Sequence, residues 1–135
     1  MAGSVTFTIT ATNSAGTDSK AYTVTVAPAA VPVPPVTRLS GSDRFATSAA
    51  ISAASFAPGV PVVYVANGFN FPDALSAAPV AGKDGAPVLL VSADAIPAAI
   101  QTELARLKPG RIVVLGGVNA VSDAVSQQLA SYISK

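Results

Sequence analysis

From Val5 to Thr12 apolar and hydroxyl side chains alternate without a break, with Val5, Phe7, Ile9 and Ala11 on one face and Thr6, Thr8, Thr10 and Thr12 on the other. A period of two predicts a half-buried β-strand. The alternation resumes with Tyr22, Val24 and Val26 against Ala21, Thr23 and Thr25. With the turn-rich stretch Asn13-Ser14-Ala15-Gly16-Thr17-Asp18 between the two runs, the pattern predicts a β-hairpin with a longer loop. A lone hairpin is marginal in water. Its apolar face is therefore expected to pack on the main body, to pair with another chain, or to leave the segment disordered.

Beyond the hairpin, residues 28 to 36 read Pro-Ala-Ala-Val-Pro-Val-Pro-Pro-Val, a composition that favours an extended polyproline II spacer. From Thr37 onward the period changes. Apolar β-branched runs at Val60 to Ala66, Pro87 to Val91 and Arg111 to Leu115 alternate with helical stretches at Asp43 to Phe56, Pro72 to Gly82, Pro97 to Leu107 and Ser122 to Ile133. This alternation predicts an α/β domain, a small three-layer parallel sheet with helices on both faces. Ser42, Asn70 and Ser122 are the expected N-caps, and Pro72 and Pro97 suit a first helical turn. The organisation is thus a hairpin over 1–27, a Pro-rich linker over 28–36 and an α/β domain over 37–135. The hairpin resembles the last two strands of bacterial immunoglobulin-like modules.

Composition narrows the function. Among 135 residues half are apolar and 11% are charged, with eight basic and seven acidic side chains and no run of either sign. Nucleic-acid binding therefore lacks its electrostatic footprint. The chain has no Cys and no His, which excludes disulfides and thiolate metal sites and removes the commonest general base. Apolar stretches are broken by Pro, Gly or Asp well short of the roughly 20 residues a membrane span needs, so no membrane insertion is expected. The first residues show no export signal, and an exported parent would leave this chain a fragment of it.

The distinctive polar chemistry sits at three junctions: Arg38-Leu39-Ser40-Gly41-Ser42-Asp43-Arg44-Phe45, Asn67-Gly68-Phe69-Asn70-Phe71-Pro72-Asp73-Ala74, and Leu115-Gly116-Gly117. The last two follow strands and precede helices, where an α/β domain presents its ligand-facing loops. Arg38 and Arg44 can take a carboxylate or phosphate through paired hydrogen bonds, or can pair with a local acid such as Asp43 or Asp73. Phe69 and Phe71 bracket Asn70; Phe69 reads as the exposed aromatic and Phe71 as a core residue under the loop. Gly116-Gly117 serves a tight turn or a close backbone approach to an anion. A short internal echo aligns Asp73 with Asp123, each near a helix N-terminus where the dipole favours a carboxylate. Asp43 and Asp73 are also the one candidate carboxylate pair for glycoside hydrolysis.

Taken together, Arg38 to Thr47, Asn70 to Pro79 and Ile112 to Gly117 resemble the cell wall binding repeat 2 family in order and spacing, over about three quarters of the chain. The resemblance implies a small fold similar to Toprim domains and thus Rossmann-like in its layering. It also implies an exported, non-catalytic prokaryotic module that anchors surface proteins non-covalently to the cell wall, without cofactor or metal. The implied partner is an anionic wall polysaccharide or teichoic-acid-like polymer, held in grooves between packed copies. With a single copy in this chain, a homotrimer is expected. Arg38 and Arg44 are the expected contacts to charge, and Asn67 and Asn70 the expected contacts to hydroxyls. The alternatives are a wall-polymer glycoside hydrolase using Asp43 or Asp73 and a purely structural oligomerisation module.

Overall fold

The computed structural model describes residues 3–26 and 36–134, apart from the side chain of Phe71. The chain divides into two compact units, Met1–Val36 and Thr37–Lys135. Nearly all of the Pro-rich spacer over 28–36, and the core position expected for the Phe71 side chain, lie outside the described residues.

In the first unit β1 (Gly3–Asn13) pairs antiparallel with β2 (Gly16–Val26). The loop is tighter than the composition suggested, because Asn13 pairs with Gly16 and leaves Ser14 and Ala15 as the turn. The Asn13 Oδ1 accepts from Ala15 N at 2.8 Å and Gly16 N at 3.2 Å, a local bond that lets Asn close a short turn. The register carries the predicted alternation across both strands. On one face Phe7 stacks on Tyr22 at 5.9 Å and Val5 lies opposite Val24. On the other, four hydroxyl pairs, Ser4–Thr25, Thr6–Thr23, Thr10–Ser19 and Thr12–Thr17, bond at 2.8–3.0 Å. Every described hairpin residue is exposed, so neither face has the half-burial that the alternation predicts. Two strands have no second layer of their own against which to bury an apolar row.

The second unit is a parallel three-stranded sheet of β3 (Val63–Asn67), β4 (Val88–Val91) and β5 (Ile112–Val114) in the order β4-β3-β5. Four helices accompany it: α1 (Arg44–Ser55), α2 (Phe71–Asp84), α3 (Ala98–Leu107) and α4 (Asp123–Ala130). The central strand β3 is buried along its whole length, as expected for a strand covered on both faces. Val63 and Val65 join Leu89 and Val91 beneath Ala49 of α1, Ile100, Leu104 and Leu107 of α3 and Val125 and Leu129 of α4. Their neighbours Val62 and Tyr64 pack with Ala81 of α2. The layering is thus three helices on one face and one on the other. Each fully buried aliphatic side chain contributes about 1.5–3 kcal/mol, so the three-helix face supplies most of the hydrophobic stabilisation.

Polar groups finish what the apolar faces begin. The edge strand β4 has its Leu90 N–H satisfied by Ser48 Oγ of α1 at 3.3 Å, which blunts that edge. At the far end of α1, Ser52 donates to the buried Glu103 of α3, which pairs with Arg106 at 2.7 Å. Arg106 also donates to Phe56 O at 2.9 Å, and the Glu103 hydrogen bond holds its guanidinium above the usual arginine range. Burying Glu103, 4% exposed, is tolerable because its carboxylate is both paired and hydrogen-bonded.

Candidate functional site

The three polar junctions meet at the C-terminal ends of the strands. At the first, Asp43 rather than Ser42 is the N-cap of α1, its Oδ1 accepting from Ala46 N at 2.7 Å. Gly41 N donates to Thr47 Oγ1 at 3.0 Å, which folds the approach chain back over the first turn. Arg44 is therefore the first helical residue. Its Nη1 donates to Gly68 O at 3.0 Å, and its guanidinium carbon lies 4.7 Å from the centre of the Phe69 ring. The rings of Phe45 and Phe69 meet edge to face at 5.5 Å. Only glycine allows this approach at 68, since a Cβ there would come within 2.7 Å of Phe45 Cε1.

The second junction is tied to the third by Asn67. This residue ends β3 and is 5% exposed. Its Nδ2 donates to Ala120 O at 2.6 Å and its Oδ1 accepts from Phe69 N at 2.7 Å. Gly116 adopts φ +93, and a Cβ on it would lie 2.8 Å from Asp73 Oδ2 and 2.7 Å from Ala120 Cβ. The Asp73 carboxylate, in the first turn of α2, thus rests against the glycine turn. Gly117 O closes that turn by accepting from Ala120 N and Val121 N. Loops that are 24 to 53 residues apart in the chain are stitched into one rim.

The expected contacts divide between surface and interior. Arg38, Arg44 and Asn70 are exposed. Among the described residues neither arginine forms an ion pair with Asp43 or Asp73. Asn70 occupies the N-cap position of α2 without making a side-chain cap bond, so its amide is left to solvent. Asn67 stands apart: it is buried, and both ends of its amide are bonded within the chain. Ser122 does cap α4, accepting from Val125 N at 3.4 Å, and Asp123 lies in that helix's first turn. Pro97 is the N-cap residue of α3, one position before the first turn, whereas Pro72 lies within the first turn of α2. Phe69 is exposed, as its position in the loop predicts. Sequence reasoning missed the carbonyls of Gly68 and Ala120 and the pairing of Phe45 with Phe69. A carbonyl has no residue signature, and only the repeated glycines hinted that main chains approach closely there.

The model of the family described as Cell wall binding domain 2 (CWB2) matches residues 38–126, a span holding all three junctions. The chain belongs to the cell wall binding domain 2 family. It is a cell wall binding module, and its solved relatives share the fold. Cwp8 from Clostridium difficile superposes with a TM-score of 0.64 at 29% identity, over 69% of this chain and 17% of that one. Cwp6 from the same organism gives 0.67 at 26% identity, over 87% and 23%. Among curated proteins, the N-acetylmuramoyl-L-alanine amidase LytC of Bacillus subtilis (strain 168) is 32% identical over 96 residues, 71% of this chain and 19% of the amidase. The Amidase enhancer of the same strain is 32% identical over 95 residues, 70% of this chain and 13% of that protein. The chain therefore spans less than a quarter of each of these relatives. Membership of the CWB2 family places the domain at the cell wall or surface.

Proposed function

We propose that this CWB2 module is a non-catalytic anchor that holds an exported surface protein to an anionic wall glycopolymer. Arg38 and Arg44 contact the polymer's charge, Asn70 contacts its hydroxyls, and Asn67 fixes the loops that present them. The observation that carries this reading is Arg44, exposed at the rim, oriented by a carbonyl and an aromatic ring, and paired with no acid among the described residues. A guanidinium held in this way presents its remaining N–H groups to a carboxylate or phosphate with little ordering still to be done. Asp43 is engaged as the α1 cap while Asp73 lies in the first turn of α2 against the Gly116 turn, a division that favours binding over a catalytic carboxylate pair.

Grooves between packed copies complete the site in this reading, with the chain assembling as a homotrimer or against sister repeats. Exposed Leu39, Ile51, Leu75, Val80 and Val118 support it, because apolar side chains in such number suit burial between copies. A Toprim-like description of the layers belongs to the same reading.

Cosedimentation with purified walls, before and after the anionic polymers are stripped, tests the function. Binding to intact walls that falls with added salt and is lost on stripping is the expected result. Equal binding to both preparations would overturn the polymer assignment.

A further inference from the structure

Phe69 is 62% exposed, more than any other described aromatic side chain. Core packing does not explain it, since Phe45 is the ring of this pair that packs against the hydrophobic core. What the ring does have is Arg44 lying over it at 4.7 Å and the edge-to-face contact with Phe45 at 5.5 Å. A guanidinium over an aromatic face is held by the ring's quadrupole. The result is a cation stacked on an exposed aromatic ring, both held by residues of one rim, with Asn70 following in the next position.

We infer that Phe69 is a specificity-determining residue, a platform for a pyranose that itself carries the negative charge read by Arg44. The inference rests on the wall-polymer reading and narrows its ligand. A sugar ring has one face rich in C–H groups, which stacks on an aromatic plane. With Arg44 over one face of Phe69, the sugar takes the other, and a carboxylate or phosphate projecting past the ring's edge meets the guanidinium N–H groups not bonded to Gly68 O. A neutral sugar leaves Arg44 without its anion, and a polyol phosphate chain without rings leaves Phe69 uncovered. Discrimination therefore comes from the pair.

The test compares native protein with Phe69→Ala, Phe69→Tyr and Arg44→Gln for retention on purified walls. Competitors are an oligouronate, a sugar phosphate and, as a charge-only probe, inorganic phosphate. Phe69→Ala is expected to weaken wall retention about tenfold, the scale of losing one aromatic anchor, and to weaken competition by inorganic phosphate by a smaller factor, the share owed to the ring's hold on Arg44. Phe69→Tyr restores retention, and Arg44→Gln flattens the salt dependence. Because Phe69 is exposed, its thermal midpoint should match that of the native chain, which separates lost binding from lost fold.

Native-like retention by Phe69→Ala overturns the inference and leaves the wall reading intact. Equal loss of wall and phosphate binding also overturns it, because the ring would then act only by holding Arg44. Competition by the oligouronate alone assigns the charge to a carboxylate, and competition by the sugar phosphate alone assigns it to phosphate. If neither competes, the pyranose platform is wrong. Failure of the native protein to bind walls at all defeats the wall reading, and this inference with it.

Discussion

Gly116 and Gly117 are adjacent and chemically identical, yet a methyl group would be felt very differently at each. At Gly116 a Cβ meets Asp73 Oδ2 and Ala120 Cβ below 3 Å on a backbone with φ +93, whereas at Gly117 nothing lies within 4 Å. Gly116→Ala is expected to lower stability by about 1–3 kcal/mol, and Gly117→Ala to change it by less than about 0.5 kcal/mol; urea denaturation of the two variants checks the contrast. The pair was legible in the sequence as a turn, but the inequality between its members was not. It depends on Asp73, which reaches the turn from another loop. Asn67 shows the same limit. Its place at the end of a strand could be read from the β-branched run before it, but its bond to Ala120 O spans 53 residues. Whether an amide faces a ligand or its own chain is decided by such distant neighbours. Arg44 was legible as a candidate rim cation, but the sequence left open a pairing with Asp43 or Asp73, and among the described residues neither pair forms.

At the scale of elements, periodicity located all four helices and three parallel strands to within a few residues. It overextended α4, predicted to run to Ile133 but ending at Ala130. Past that point Ser131, Tyr132 and Ile133 turn through bonds to residues three positions back, and Ser134 N reaches Pro109 O at 2.8 Å. A contact from outside the helix thus ends it where the apolar spacing alone would continue. Strand order was not legible, because alternation identifies a strand without naming its neighbour.

The helix α2 is joined to β3 by Tyr64, whose hydroxyl donates to Asp84 Oδ2 at 2.7 Å. That hydrogen bond, helped by burial and by the Asp84 charge and opposed by Arg111, raises the Tyr64 pKa above the ordinary value of 10.0. The folded state then keeps a proton that the unfolded chain releases, so this bond stabilises fully below pH 10 and is lost as pH rises through the folded-state value. Thermal melts across the alkaline range should show the native chain losing stability above about pH 10. Tyr64→Phe, less stable at neutral pH, should show a shallower alkaline decline.

For the whole molecule, contacts divide the chain into Met1–Val36 and Thr37–Lys135. The assembly is the larger claim. Light scattering of the purified chain at micromolar concentration is expected to give three times its 13.3 kDa mass; a stable monomer would remove the shared groove and leave each rim to bind alone. The rim itself has a property that bears on how it can change over time. Its stitches run from side-chain donors, Arg44 and Asn67, to the main-chain carbonyls of Gly68 and Ala120. Every residue type supplies a carbonyl, so the chemistry of a bond does not restrict which residue accepts it. Constraint falls instead on the donors and on the space that Gly68 and Gly116 keep clear, while exposed positions such as Arg38, Phe69 and Asn70 stay free to be retuned. A rim built in this way can alter what it recognises while the framework beneath it stays the same.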